Sequence, residues 1–237
     1  MAEVLLDVQA LEAGYGKKTV LHQVSFRVEV GEVVTLLGHN GAGKTTTLKT
    51  ILGLLRARAG QVRFAGRPWA NANPAENVRR GVALVAQGRG VFPDLTVVEN
   101  LAMGAYTQSD RTGVRRRLDE ILELFPALAE RRAQKVGTMS GGQQQMVAVG
   151  TALMQRPRLM MMDEPSIGLA PVVVQRVLET AAEINRQFGT AILLVEQNIK
   201  TALAMAARAY VMKSGRIVLE KPAAELLAAQ DSWWELY

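Results

Sequence analysis

A glycine-rich segment at residues 38–46 constrains the fold of this chain more than any other part of its sequence. The segment has the sequence GHNGAGKTT, which fits the pattern G-x-x-x-x-G-K-[ST] of phosphate-binding loops. Residues 33–37 are an apolar run that predicts a buried strand, and residues 46–55 carry leucine and isoleucine at helical spacing. The motif therefore lies between a strand and a helix, which is the context that it requires.

The residue types of this segment are suited to holding the phosphates of a nucleotide. Glycines let the backbone curl so that several N–H groups point at one anion, and the following helix adds the positive end of its dipole. Lys44 is expected against the β- and γ-phosphates, and the Thr45 hydroxyl is expected to be a magnesium ligand. A glycine-rich turn with a chance lysine is the alternative. The residues assigned to nucleotide binding in this segment are Gly38, His39, Asn40, Gly41, Ala42, Gly43, Lys44, Thr45 and Thr46.

An acidic pair follows a second apolar run. Residues 159–162 are LMMM, and Asp163 and Glu164 come directly after them. In a chain with a phosphate-binding loop, a buried strand that ends in two carboxylates predicts a hydrolytic site. Asp163 is expected to bind magnesium, directly or through water, and Glu164 to orient or deprotonate a water for attack on the γ-phosphate. The alternative is a solvated acidic loop.

Two isolated residues are weaker candidates for the same site. Tyr15 lies in a glycine-flanked turn, where an exposed aromatic ring would stack on a nucleotide base or pack on its own hairpin. Gln87 follows an apolar run at residues 82–86. Because open α/β sheets bind ligands beyond the carboxyl ends of their strands, Gln87 is a candidate contact to magnesium or to the attacking water, with a loop hydrogen bond as the alternative.

A second anion-binding segment is indicated at Ser140, Gly141, Gly142 and Gln143, which open a predicted helix ending at Leu153. Serine as N-cap with two glycines leaves backbone N–H groups at a positive helix end. Such a terminus binds anions, although an ordinary capped helix start explains the same residues.

The remaining elements predict one α/β domain. The chain has 237 residues, enough for one large domain or two small lobes. Strand-like segments at residues 5–10 and 24–28 predict an antiparallel β layer beside the nucleotide core, and the region after Gln87 is mainly helical in pattern. The expected boundaries are 1–237 for the single domain, 1–87 and 158–237 for its nucleotide-binding core, and 88–157 for an inserted helical subdomain.

Composition excludes several classes of function. The chain has no cysteine, which rules out disulfides, thiol catalysis and cysteine-ligated metals. No apolar run is long enough to cross a bilayer, and no signal peptide is expected. The net charge of +6 is scattered apart from residues 115–117 and 131–132, which predict a solvated helix face or, alternatively, contact with an anionic membrane or nucleic acid. Trp233, Trp234 and Tyr237 indicate either a partner patch or a tail folded onto the body.

Together these motifs resemble the ATP-binding subunit of ABC transporters. The resemblance is carried by residues 38–46, Gln87, residues 139–143 (MSGGQ), residues 159–165 and residues 166–169 (SIGL). It implies an α/β P-loop NTPase with a RecA-like core, an antiparallel β layer and an inserted helical subdomain. It also implies ATP and Mg²⁺ as cofactors, with Thr45, Gln87 and Asp163 as the metal-site residues.

The resemblance further implies a head-to-tail dimer with two ATPs between its subunits. The phosphate-binding loop of one subunit and residues 140–143 of the other would hold each ATP, and residues 166–169 would cross the interface. Tyr15 matches the aromatic residue that stacks on adenine. Gln87 matches the glutamine that couples the site to the transmembrane partner.

A narrower resemblance is to importers of branched-chain and related amino acids. Residues 164–171 (EPSIGLAP), 43–51 (GKTTTLKTI) and 195–198 (VEQN) carry it. Such importers combine two different ATPase subunits, of which this chain resembles the shorter, with two transmembrane permeases and a substrate-binding protein. The resemblance implies a place at the cytoplasmic face of the bacterial inner membrane and no nucleic-acid partner. Importers of urea and short-chain amides share much of the pattern, and a soluble ABC ATPase outside transport is a further alternative.

The sequence departs from the family pattern at Gln197, where most ABC ATPases have histidine. Glutamine donates a hydrogen bond but does not become a cation near neutral pH. The expected catalytic set is therefore Glu164 as base, Gln197 as positioning group and Lys44. Met139 and Thr151 also depart from the common pattern, with no consequence predicted.

Overall fold

The computed structural model describes residues 3–69, 73–88 and 90–229. Within these residues the chain forms two β-sheets surrounded by helices. The strands in chain order are β1 (Val4–Tyr15), β2 (Lys18–Glu29), β3 (Val33–Leu37), β4 (Ala57–Phe64), β5 (Arg67–Pro68), β6 (Val82–Val85), β7 (Leu159–Asp163), β8 (Ala191–Val195), β9 (Arg208–Lys213) and β10 (Arg216–Pro222). The helices are α1 (Lys44–Leu52), α2 (Pro74–Arg79), α3 (Val97–Gly104), α4 (Arg111–Leu124), α5 (Pro126–Ala129), α6 (Gly141–Leu153), α7 (Pro171–Phe188), α8 (Ile199–Met205) and α9 (Ala223–Ala228).

The N-terminal strands form the antiparallel layer that the sequence predicts. The order in this sheet is β2-β1-β4-β5, and β1 pairs in antiparallel fashion with both β2 and β4. The strands expected at residues 5–10 and 24–28 are parts of longer ones, because β1 and β2 continue to pair until Tyr15 meets Lys18 at the hairpin turn.

The second sheet contains the strand that leads into the glycine-rich loop. Its order is β10-β9-β3-β8-β7-β6, in which β9, β3, β8, β7 and β6 are parallel and β10 is antiparallel. All residues of β3, β7 and β8 are buried, as expected for parallel strands covered on both faces. The carboxyl ends of β3, β7 and β8 therefore share one edge, where ligands bind in open α/β sheets.

The two faces of the parallel sheet belong to two apolar clusters. In β3, Val34 and Leu36 pack with the antiparallel layer and α1, whereas Val33 and Leu37 pack with the helices on the other face. This alternation follows from the two-residue period of a strand. Burial on both faces fixes the register of β3, and hence the position of the loop that follows it.

Between β6 and β7 the described chain contains helices joined by loops and no strand, apart from an isolated bridge between Thr96 and Lys135. Thr96 caps α3 in a capping box, since its hydroxyl accepts from the Glu99 N–H and the Glu99 carboxylate accepts from the Thr96 N–H. The predicted solvated face of residues 115–117 is wrong for Arg117, which is buried, donates to the Leu153 carbonyl and pairs with Glu120.

The patterns considered above predict no helix at α2, α7 or α8. Helix α7 begins with a proline followed by three valines. Valine also suits strands, so the start of α7 resembles a strand although its proline is compatible with a first helical position. Its buried residues nevertheless follow helical spacing, at Val174, Val177, Leu178, Ala181 and Ile184. None of the described helices is long and apolar enough to span a membrane. Trp233, Trp234 and Tyr237 lie outside the described residues.

Candidate functional site

The glycine-rich loop begins where β3 ends at Leu37, and α1 begins at Lys44. Two glycines have no room for a side chain. A Cβ on Gly38 would lie 2.4 Å from the Met212 carbonyl oxygen, and one on Gly43, whose φ is 110°, would lie 2.9 Å from Leu21 Cδ2. The loop conformation therefore depends on glycine at both positions.

The ammonium group of Lys44 lies inside this loop. Its Nζ donates to the carbonyl of Gly38 at 2.5 Å and to that of His39 at 3.1 Å, and it lies 3.6 Å from Glu164 Oε1. The side chain is only 4% exposed. The structure thus places a buried positive charge between the loop and the acidic pair at the end of β7.

Thr45 and Asp163 come from different elements and meet at the start of α1. The Thr45 hydroxyl donates to Asp163 Oδ1 at 3.1 Å, and Asp163 is 3% exposed. Burial raises the pKa of Asp163, the hydrogen bond from Thr45 opposes this rise, and the charge of Glu164 adds to it.

Thr45 and Asp163 suit a magnesium ion, which also takes ligands from phosphate and water, better than a metal ion whose ligands all come from the protein. Hydroxyl and carboxylate oxygens are the ligands that Mg²⁺ prefers, and the ion is usually held by one or two carboxylates plus substrate phosphates. No group of three or more histidine, cysteine, aspartate or glutamate residues in the described part of the chain is arranged to hold a metal ion.

Glu164 receives hydrogen bonds from two glutamines. Its Oε2 accepts from Gln197 Nε2 at 2.8 Å and from Gln87 Nε2 at 3.3 Å. Gln197 Nε2 also donates to Asn40 Oδ1 at 2.9 Å. The site therefore connects the ends of β6, β7 and β8 with the phosphate-binding loop, and the link through Asn40 has no signal in the sequence.

The backbone of Glu164 has an unusual conformation. Its φ is 48°, in the left-handed region that non-glycine residues rarely occupy, and its N–H donates to the Val195 carbonyl at 2.8 Å. Such outliers cluster at functional sites, where the surrounding structure maintains them.

One open cleft of about 610 Å³ is bordered by Lys44, Thr45, Gln87, Glu164 and Gln197, whereas the buried Asp163 does not line it. Sequence reasoning missed part of its wall, which comes from the first residues of β2, from the turn between β9 and β10 and from the loop after β7. The lining residues are Lys18, Thr19, Val20, His22, Asn40, Gly41, Gly43, Lys44, Thr45, Thr46, Gln87, Glu164, Ile167, Gln197, Ser214 and Gly215. The one available signal for the additional residues is glycine at the two hairpin turns, Gly16 and Gly215.

Tyr15 does not line this cleft but lies beside it, at the end of β1, and is 48% exposed. The hairpin turn that follows Tyr15 is held by Arg58, which donates to the Thr19 hydroxyl at 2.9 Å and to the Gly16 carbonyl at 2.7 Å. This anchoring role of Arg58 was not evident from the sequence.

The predicted second anion site at Ser140, Gly141, Gly142 and Gln143 does not line this cleft either. Ser140 is the exposed N-cap of α6, and its hydroxyl accepts from the Gln143 N–H at 3.4 Å while Gln143 Oε1 accepts from the Ser140 N–H at 3.0 Å. A Cβ on Gly142 would lie 2.2 Å from Val173 Cγ1 of α7. The segment thus forms a capped helix start, apart from the phosphate-binding loop of the same chain.

Comparison with known proteins agrees with this geometry. The sequence profile of the ABC transporter family matches residues 21–167. The chain is 46% identical to the high-affinity branched-chain amino acid transport ATP-binding protein BraG of Pseudomonas aeruginosa, over 94% of this chain and 95% of that protein. It is 36% identical to a probable branched-chain amino acid transport ATP-binding protein, LivF, of Archaeoglobus fulgidus, over 94% of each.

Solved structures share the fold over nearly the whole chain. A nucleotide-free ATP-binding cassette from an ABC transporter superposes with a TM-score of 0.87 at 27% identity, covering 99% of this chain and 98% of that one. The ADP conformation of the cassette MJ1267 gives a TM-score of 0.84 at 28% identity, covering 96% of each. The predicted fold class is confirmed, and the chain belongs to the ABC transporter family as an ATP-hydrolysing, ATP-binding subunit.

Proposed function

We propose that this subunit powers the import of branched-chain or related amino acids. The relative at 46% identity bears that name and matches almost end to end, and the same substrate is named for the archaeal relative. Import of urea or a short-chain amide is the second candidate, because such importers share much of the sequence pattern on which the narrower resemblance depends.

One observation carries the hydrolytic part of the proposal. Glu164 lies within hydrogen-bonding distance of Gln197 and within 3.6 Å of the Lys44 ammonium. We assign Lys44 to the β- and γ-phosphates, Glu164 to the water that attacks the γ-phosphate, and Gln197 to the positioning of Glu164 and the γ-phosphate. The remaining residues of the loop, from Gly38 to Thr46, are assigned to binding the triphosphate.

Magnesium is assigned to Thr45 and Asp163, with Gln87 nearby. When bound, the ion would neutralise charge that develops on the phosphates. The hydroxyl of Thr45 and the carboxylate of Asp163 supply oxygen ligands, and their hydrogen bond holds the two groups beside the phosphate-binding loop.

We propose a head-to-tail dimer with a second ATPase subunit, either a copy of this chain or a paralogue. In this arrangement Ser140, Gly141, Gly142 and Gln143 would face the nucleotide of the partner, which accords with their separation from the cleft of their own chain. Tyr15 would stack on adenine at the exposed edge of the site.

The proposed complex includes two transmembrane permeases and, indirectly, a substrate-binding protein. The subunit would lie peripherally at the cytoplasmic face of the membrane, with Gln87 coupling the site to a permease. The division into a core of 1–87 and 158–237 and a helical subdomain of 88–157 remains part of this proposal. ATP binding would close the dimer, and hydrolysis with product release would reopen it.

The hydrolytic assignment is tested by Glu164→Gln. Loss of the general base is expected to reduce turnover by about 100-fold or more, while the affinity for ATP stays within about threefold because Lys44 and the glycine-rich loop remain. Phosphate release and binding of a fluorescent ATP analogue measure the two quantities. Glu179→Gln, at an exposed position of α7, is the matched control. Turnover near the wild-type rate would remove Glu164 from its role.

The transported substrate is tested in cells. Deletion of the coding gene is expected to reduce uptake of labelled leucine, isoleucine and valine, and the wild-type gene but not the Glu164→Gln variant should restore it. Labelled urea and acetamide are measured in parallel. Loss of amide or urea uptake with normal leucine uptake would favour the second candidate.

A further inference from the structure

Glu196 is a buried carboxylate at the edge of the site whose role is unassigned so far. It follows the last residue of β8 and is 0% exposed. Burial raises the pKa of Glu196, and hydrogen bonds from Ser166 and the backbone of residues 197 and 198 oppose that rise. A buried carboxylate without hydrogen-bond donors is costly, so these donors are part of the reason that it is tolerated.

The contacts of Glu196 join two loops of the site. Its Oε1 accepts from the Ser166 N–H at 3.0 Å, and its Oε2 accepts from the Ser166 hydroxyl at 2.7 Å and from the Gln197 N–H at 3.0 Å. The loop after β7 and the loop after β8 are thereby attached to the same side chain.

Both loops carry residues of the cleft. Ile167 and Gln197 line it directly, and Gln197 donates to Glu164 Oε2 at 2.8 Å. Glu164 lies two residues before Ser166 and has a φ of 48°. Because a left-handed backbone at a non-glycine residue persists only where its surroundings maintain it, the fixed Ser166 helps to hold the turn at Glu164.

We propose that Glu196 is a positioning residue that aligns Glu164 with Gln197 by fixing the backbone of both loops. The inference rests on the catalytic role assigned to Glu164 above. Glu196 touches neither the phosphates nor the attacking water in this proposal and acts through Ser166 and Gln197.

The chemistry of the contact favours a carboxylate over an amide. Three donors lie within 3.0 Å of the two oxygens of Glu196, and an ionised carboxylate accepts on both. In Glu196→Gln, one oxygen becomes an NH₂ group that faces either the Ser166 or the Gln197 backbone N–H. One buried donor is then left unsatisfied, and one loop is released.

The test compares Glu196→Gln, Ser166→Ala, Ser166→Thr and the double variant Glu196→Gln/Ser166→Ala. For the folded protein, Glu196→Gln is expected to lower kcat about 10- to 30-fold and Ser166→Ala about 3- to 10-fold, with the ATP KM within about threefold. Ser166→Thr retains the hydroxyl and should keep a kcat within about twofold of wild type. The kcat of the double variant should lie within about twofold of that of Glu196→Gln, because both changes break the same connection between Glu196 and Ser166.

Melting temperature and circular dichroism report folding, and Glu179→Gln is the control for the change of charge. A kcat within twofold of wild type for folded Glu196→Gln, or equal kcat for Ser166→Ala and Ser166→Thr, would overturn the proposal. If Glu196→Gln does not fold, the two Ser166 variants still decide it. Normal turnover in Glu164→Gln would refute the proposed function itself, whereas an inactive Glu164→Gln with a normal Glu196→Gln would refute only the role of Glu196.

Discussion

Two helices of this chain begin with sequences suited to anions, and they begin in different ways. Helix α1 has Gly43 at its N-cap with no side-chain hydrogen bond, whereas α6 has Ser140 at its N-cap in a complete capping box. In α1 no N-cap side chain bonds to the first turn, and residues 43–46 line the cleft. In α6 the N–H of Gln143 has a partner within its own turn.

The difference accords with the proposed dimer, in which one chain supplies only part of each nucleotide site. At α1 the strand, loop, lysine and acidic pair come from the same chain and meet at one sheet edge. At α6 the exposed Ser140 caps its own helix, and it does not line the cleft formed by the described part of the chain. The two helix starts are therefore expected to respond differently to mutation.

The largest expected effect separates the two helix starts directly. Lys44→Ala is expected to weaken ATP binding by about 100-fold, since the charge-assisted contact proposed between the Lys44 ammonium and the phosphates is lost. Ser140→Ala is expected to leave ATP binding by the isolated chain within about threefold but to lower turnover about tenfold, because in the proposed dimer Ser140 acts on the nucleotide of the partner. Binding of a fluorescent ATP analogue and phosphate release measure these effects.

Mixing the two variants sharpens this comparison. In a mixed homodimer, one site combines the intact Lys44 of the Ser140→Ala subunit with the intact Ser140 of the Lys44→Ala subunit. An equal mixture should regain about a quarter of wild-type turnover if both composite sites act independently. Activity no greater than the average of the two variants would show that copies of this chain do not complement one another through Ser140.

A smaller effect, on stability rather than on turnover, is expected from a change at the start of α6. In Gly142→Ala the new Cβ would lie 2.2 Å from Val173 Cγ1, and a β-branched side chain in a helix has little rotamer freedom to move away. Overpacking of this kind costs about 1–3 kcal/mol, from which about 1 kcal/mol of improved helix propensity is recovered. Chemical denaturation should show a net loss of stability with ATP binding at α1 unchanged.

The control for this prediction removes the obstructing side chain. The loss of stability caused by Gly142→Ala should be smaller in the Val173→Ala background than in the wild-type background. If Gly142→Ala is as stable as wild type, Val173 moves freely and the glycine is not required for packing of α6 against α7.

The contrast between the two regions also explains what the sequence could predict. The phosphate-binding loop, Asp163 and Glu164 are contiguous motifs whose flanking strands are fully apolar, so local pattern was sufficient to place them at one sheet edge. The contacts of Asn40 with Gln197 and of Glu196 with Ser166 join residues 157 and 30 positions apart. They depend on the order of β3, β8 and β7 in the sheet, which no local pattern specifies.

The cleft wall from the β9–β10 turn was missed for the same reason. Ser214 and Gly215 reach the site because β9 pairs in parallel with β3, next to the phosphate-binding loop. Helix α7 was missed for a local reason, since its first residues have strand-like propensity and only its later spacing is helical.

The smallest expected effect concerns Asp163, which ends β7 and contacts Thr45 of α1. The pKa of Asp163 is raised above its ordinary value, chiefly by burial, so its ionised form is less favourable in the folded than in the unfolded protein. This cost is absent below the ordinary aspartate pKa, grows as the pH rises toward the folded pKa, and is fully present above it. Asp163→Asn, without nucleotide, is therefore expected to raise the melting temperature at neutral pH by less than Gly142→Ala lowers it, and the gain should vanish in acid.

The same substitution should weaken magnesium-dependent nucleotide binding, since an amide oxygen is a poorer ligand for a hard cation than a carboxylate. Asp94→Asn, at an exposed position, is the control and should change neither quantity. Thermal melts across pH and ATP binding titrated with Mg²⁺ give the two measurements. Stability and function would then oppose each other at Asp163, a conflict that Ser140, whose capping box stabilises its own helix start, is not expected to show. A destabilised Asp163→Asn at neutral pH would mean that the hydrogen bond from Thr45 outweighs the cost of burying the charge.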